Sequence, residues 1–200
     1  MCRKRQCQRN GEPARFGEAE AHAAAGAECR VILLGVELRY PDSPYWDVLR
    51  SAALGASAKG AITVVPAGNS PRSQPCNWPG ILTAFSCNWR GQISAFCCKG
   101  LRSSNIILAP GEDVPGAAST SEYDVRSGTS FAAAVAAGAF ARAASLSSDR
   151  PLFDIAGQLC RPPRRLLDAT SFQPQAGDSS CSKHHLPMPQ QANMAMQMHP

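Results

Sequence analysis

Histidine is scarce in this chain. Its four copies are His22, His184, His185 and His199, and only the first lies outside the last seventeen residues. Aspartate is missing from the first forty-one positions; Asp42 is the earliest. Aromatic residues make up 6% of the chain and are not interleaved with basic side chains, which excludes the usual stacking surface for nucleic acid. No apolar run looks long enough to cross a bilayer. The amino-terminal stretch carries no apolar core of a secretory signal, so an intracellular location is expected. The nine cysteines are odd in number and form no pair of CxxC units at zinc spacing. Free thiols in a reducing compartment fit them better than a disulfide framework, and no metal or cofactor is expected.

What is present is a well-stocked core. Hydrophobic residues make up 44% of the 200, enough for one domain. The ends differ from the middle. Residues 1–28 carry Arg3, Lys4, Arg5, Arg9 and Arg15 with few large apolar side chains. Residues 171–200 are rich in Gln, Ser, Pro, Met and His without apolar periodicity. Both are expected to be disordered tails flanking a folded segment from 29 to 170. The net charge of +5 resides largely in the basic tail and in Arg161, Arg164 and Arg165.

Within the folded segment the pattern alternates. Arg30–Val36 is a continuous apolar run that predicts a buried parallel strand. Asp42-Ser43-Pro44 offers a helix start, and Trp46, Leu49, Ala52, Ala53 and Ala56 follow at helical spacing until Gly60. The β-branched run 61–65 is the next strand, giving a βαβ unit. Further strands are expected over 79–86 and 105–108, with a short extended piece at 93–96. Residues 112–127 are polar and contain glycine, so they are expected to form a loop. An Ala-rich helix is expected from about Thr129 to Ser145, and a partly helical stretch from Asp154 to Ala169 interrupted by Pro162-Pro163. The whole predicts an α/β fold with a mostly parallel, doubly wound sheet.

Two positions attract chemistry. Asn69 follows the strand 61–65 at its carboxyl end, where open α/β sheets place functional loops. Ser130 stands at the junction of Ser127-Gly128-Thr129 and the Ala-rich helix. The first turn of a helix leaves N–H groups unpaired and concentrates partial positive charge, which suits a nucleophile. Plain structural readings compete: Thr129 and Ser130 as helix caps, and Asn69 as a local Asx turn.

Taken in order, Ala67-Gly68-Asn69, the 79–86 strand with Ser94-Ala95-Phe96, Leu108-Ala109-Pro110-Gly111-Glu112-Asp113-Val114 and Gly128-Thr129-Ser130-Phe131-Ala132 resemble the carboxyl-terminal half of a subtilisin-like (subtilase) serine protease domain. The wording of 107–114 and 127–132 looks closest to subtilases that mature cyanobactin-type peptides. The resemblance implies a three-layer fold and a serine-type endopeptidase acting on peptide or protein. It implies Ser130 as nucleophile and Asn69 as the oxyanion-hole side chain, assisted by a backbone N–H at Ser130.

The departures are as informative. Subtilases run in the order Asp, His, Ser. Here no Asp precedes His22, and His22 is followed by Ala23-Ala24-Ala25-Gly26 instead of Gly-Thr. His22 therefore reads as a solvated tail residue. Ala134 stands where the family motif usually has Pro, Leu33-Leu34 where Asn and Ser usually precede the Gly, and Pro66 where a small residue is usual. The expectation is a domain truncated on its amino-terminal side. Such a chain would be inactive alone, and would be either in need of a partner that supplies the missing half or a non-catalytic peptide-binding pseudoprotease.

Overall fold

The computed structural model describes residues 17–18, 21, 29–100, 105–118, 122–146, 152–161 and 166–168. In chain order its elements are β1 (Val31–Leu33), α1 (Asp47–Ala58), β2 (Ile62–Pro66), β3 (Ile81–Cys87), β4 (Ile106–Pro110), β5 (Val114–Ala117), β6 (Tyr123–Arg126), α2 (Thr129–Leu146), α3 (Leu152–Leu159), β7 (Cys160–Arg161) and β8 (Leu166–Leu167). The expected tails, His22 included, lie outside the described residues apart from 17, 18 and 21.

Among the described residues six strands form one sheet in the order β1-β2-β3-β4-β8-β7. All neighbours are parallel except β7 and β8. The apolar runs form central strands because both faces of the sheet are covered. Side chains alternate between the faces. Ile62, Val64, Leu82, Ala84, Ile107 and Ala109 point into a core shared with Ala132, Ala133, Ala136, Ala137 and Phe140 of α2 and with Leu152, Ile155 and Leu159 of α3. On the other face Val65 and Ile81 meet Leu49 and Ala53 of α1, with Leu38 and Trp78. Farther along the same face Phe85, Ile106 and Leu108 pack with Cys87, Cys97 and Cys98. The result is the three-layer α/β architecture that the sequence predicted.

Small side chains on α2 set how closely that helix lies on the sheet. Four of its buried contacts are alanines with no exposed surface or nearly none. Arg30 reaches across from the start of β1, and its Nη1 donates to the carbonyl of Ala144 in the last turn of α2 at 3.1 Å. The helix ends with a cation on a carbonyl that has no partner within the helix. At the other end of the sheet Ser43 accepts from the N–H of Tyr45 at 3.3 Å, and a 3-10 turn over Pro44–Trp46 leads into α1.

Four expectations are corrected. Residues 93–96 contribute only an isolated bridge, Cys87 to Ile93, because Ser94 turns inward to meet Ser86. The 112–127 segment is not wholly loop: β5 and β6 pair as an antiparallel hairpin. The 154–169 stretch holds β7 and β8 beyond its helix, and β8 joins the sheet beside β4. Finally, α2 does have the length and apolar composition of a membrane span. Its buried stripe at Ala132, Ala133, Ala136, Ala137, Phe140 and Ala143 is seated on the sheet, the packing of a core helix.

Candidate active site

Asn69 and Ser130 come together at the carboxyl ends of the parallel strands. The loop after β2 and the amino terminus of α2 are tied by three hydrogen bonds. The N–H of Gly68 donates to Thr129 Oγ1 at 3.1 Å. The Thr129 hydroxyl donates onward to Asn69 Oδ1 at 2.9 Å, and the Thr129 N–H donates to the same oxygen at 2.8 Å. Because a backbone N–H can only donate, Oδ1 must be the atom facing Thr129. Nδ2 is thereby turned the other way. A local Asx turn does not describe Asn69: its partner is sixty residues downstream.

The same tie orients Ser130. Gly128 is the residue before the helix, and its carbonyl accepts from Phe131 at 3.1 Å and Ala132 at 3.3 Å. Thr129 and Ser130 are therefore the first two helical residues, and Ser130 is half-buried. Among the described residues the N–H of Ser130 has no partner, as expected in a first turn. A Cβ placed on Gly128 would lie 3.4 Å from Asn69 Nδ2 and 3.5 Å from Ser130 Oγ. The amide nitrogen and the hydroxyl oxygen thus converge on the space beside Gly128. An atom developing negative charge there would meet a carboxamide N–H with a helix N-terminus behind it.

The third wall is Gly111, after β4. Its carbonyl accepts from the Gly128 N–H at 2.8 Å. A Cβ at Gly111 would stand 2.9 Å from both Ala132 Cβ and the Gly128 carbonyl oxygen, and closer still to Ser86 Oγ. Only glycine lets β4 approach the helix start so closely. Ser86 is itself buried and bonded to Ser94 at 2.6 Å. Sequence reasoning found Ser130 and Asn69 and quoted Thr129 and Gly111 within its motifs, but it missed Thr129 as the anchor of Asn69 and Gly111 as a contact of the helix start, because those partners are remote in the chain.

Two grooves flank the site. One, of about 510 Å³, opens beside Asn69 and is lined by Glu37, Arg39, Tyr40, Ser70, Arg72 and Ser73 among others. The other, of about 320 Å³, lies beside Phe131 against the β5–β6 hairpin, with Asp124 and Arg126 on its wall. Arg126 Nε pairs with Asp124 at 2.8 Å and holds its carboxyl below the usual range, helped by the Val125 N–H.

Thiols surround the back of the site. Burial pushes Cys87 up to about 11, with Glu112 adding to it. Cys97 and Cys98 share a hydrogen bond that holds Cys97 below and Cys98 above the ordinary thiol value. The Cys98 N–H donates to the carbonyl of Gly68 at 3.3 Å, so this turn braces the Asn69 loop from behind. Gly68 has φ +112°, a conformation that favours glycine. Among the described residues no three His, Cys, Asp or Glu side chains are grouped as metal ligands. All four histidines lie outside the described residues.

A mostly parallel sheet between helix layers thus presents a serine at a helix start, facing a carboxamide across Gly128. The chain belongs to the subtilase family: the family profile matches residues 34–151, a range that contains both Asn69 and Ser130. Solved structures share the fold. The prenylagaramide maturation protease PagA superposes with a TM-score of 0.65 at 19% identity, over 80% of this chain and 65% of that one. The patellamide maturation protease PatG gives 0.65 at 23% identity, over 80% of this chain and 55% of that one. The nisin leader peptidase NisP from Lactococcus lactis gives 0.63 at 17% identity, over 80% and 61%. The chain therefore spans between about half and two thirds of the length of these proteases. A search among curated proteins finds no match.

Proposed function

We propose that the chain is the nucleophile-bearing part of a serine-type endopeptidase, cleaving peptide bonds by attack of Ser130 Oγ on the scissile carbonyl. The carbonyl oxygen would move into the space beside Gly128. There Asn69 Nδ2 and the N–H of Ser130 would donate to it as it becomes negative. Residues 29–170 are the extent we assign to this domain. The observation that carries the reading is the orientation of Asn69, fixed by its two bonds from Thr129. That orientation aims the donating end of the carboxamide at the reaction space. Loss of one such donor lowers turnover by about 10²–10³ in serine proteases.

The step needs a base to take the Ser130 proton. We infer that an Asp–His pair reaches Ser130 from outside the described residues, on this chain or on a partner, and that the peptide substrate lies across the two flanking grooves. A serine and its oxyanion donors without the base would retain only about 10³–10⁴ over water.

A fluorophosphonate probe tests this. Labelling that disappears in Ser130→Ala, and is weakened in Asn69→Ala, is the expected result. A second reading, a non-catalytic peptide-binding protein, is favoured by one sequence fact: His22 is followed by Ala23-Ala24-Ala25-Gly26 and not by Gly-Thr. Labelling that stays absent when cell extract is added as a source of the partner, with peptide binding retained, would establish that reading instead.

A further inference from the structure

The groove beside Asn69 carries an unbalanced charge. Two guanidiniums, Arg39 and Arg72, and one carboxylate, Glu37, line it. The carboxylate is already engaged. Ser73 Oγ donates to Glu37 Oε1 at 2.6 Å, and that oxygen stands 3.0 Å from where a Cβ on Gly68 would be. The cations are not. Among the described residues neither Arg39 nor Arg72 belongs to an ion pair, and both are exposed. Their main chains, by contrast, are fixed. The carbonyl of Arg39 accepts from Trp46 Nε1 at 2.9 Å, and the N–H of Arg72 donates to Ser70 Oγ at 3.2 Å. The wall between them is anchored as well, since Leu38 is buried and Trp78 Nε1 donates to the Pro41 carbonyl at 3.1 Å. Two donor forks thus extend from a fixed main-chain rim into the groove that Asn69 also lines. Guanidinium forks match a carboxylate in geometry as well as charge.

We propose that this groove selects peptides with an acidic side chain close to the bond presented to Ser130. The inference rests on the reading of Asn69 and Ser130 as the reaction centre, which places the groove next to the attacked carbonyl. A Glu or Asp side chain entering the groove meets Arg39 and Arg72, while a Lys or Arg side chain meets their repulsion and finds Glu37 already bonded.

The test uses three fluorescent hexapeptides, acetylated and amidated at their ends, that differ only in Glu, Gln or Lys at one central position. With blocked ends, the side chain is the peptide's only carboxylate. Affinity for the full chain is read by anisotropy. The Glu peptide is expected to bind about tenfold tighter than the Lys peptide, with Gln between. The preference is expected to collapse at about 1 M sodium chloride, where the Debye length is about 3 Å. Arg39→Gln with Arg72→Gln removes the preference. Both side chains are exposed and bonded only through the main chain, so circular dichroism should be unchanged. Glu37→Gln should sharpen the preference. Equal affinities, a preference for Lys, or no binding by any of the three peptides overturns the proposal. Fluorophosphonate labelling of Ser130 is scored separately. A labelled serine without charge discrimination sinks this inference alone, and discrimination without labelling sinks the catalytic reading while the groove's preference stands.

Discussion

At Gly111 a single added methyl group would meet β3, the helix start and Ala132 together. Gly111→Ala is expected to destabilise the fold by about 1–3 kcal/mol, the range for overpacking, and to push Ser130 out of line with Asn69. A thermal melt reads the first effect and fluorophosphonate labelling the second. Thr129 offers a cleaner separation. Thr129→Val keeps the shape but takes the acceptor from Gly68 and a donor from Asn69, at a cost of about 1–3 kcal/mol in urea denaturation. Thr129→Ser keeps the hydroxyl and should recover most of that loss. At this scale the sequence was legible where a residue type and its position combine: a serine at a helix start, an asparagine at a strand end. It did not show what Thr129 and Gly111 touch, since their partners are brought close only by the assembled sheet.

Among the elements, α2 carries the largest share of the core. Phe140 is fully buried among sheet and helix side chains. Phe140→Ala should cost about 3–5 kcal/mol, checked by the midpoint of denaturant unfolding. The β5–β6 hairpin behaves differently, with Tyr123 and Val125 exposed and its own strand edges as its framework. Its Asp124 titrates below the ordinary 3.8 because Arg126 and the Val125 N–H favour the carboxylate. The hairpin bonds that depend on that charge are therefore intact above 3.8 and lost as pH falls through the lower folded value. A carbon-detected NMR titration should give a midpoint for Asp124 below 3.8, and Arg126→Gln should raise it. The apolar runs that became β2, β3 and β4 were legible because burial on both faces demands them. The hairpin was not, since Pro115 and Gly116 interrupt its polar sequence, and β8 is too short to carry a pattern.

For the molecule as a whole, buried thiols set an alkaline limit. Burial raises Cys76 to about 12 and Cys87 to about 11 from an ordinary 9.0. The unfolded chain releases these protons first, so the stability they protect is fully present below 9 and is lost as pH climbs through 11 and 12. Denaturation midpoints measured from pH 8 to 11 should fall steadily above 9, and replacing Cys76 by Ala should flatten the curve. At this scale the α/β class and the family were readable from motifs in sequence. The route by which β8 returns beside β4 was not, because only tertiary pairing defines it.

The bonds joining Gly68, Asn69 and Thr129 also have a meaning in time. They bridge sixty and sixty-one positions, across the strands that lie between β2 and α2. Contacts of such long sequence separation mature slowly. Ser130 therefore meets Asn69 only once the sheet has assembled, so a chain still folding presents this serine without the carboxamide beside it.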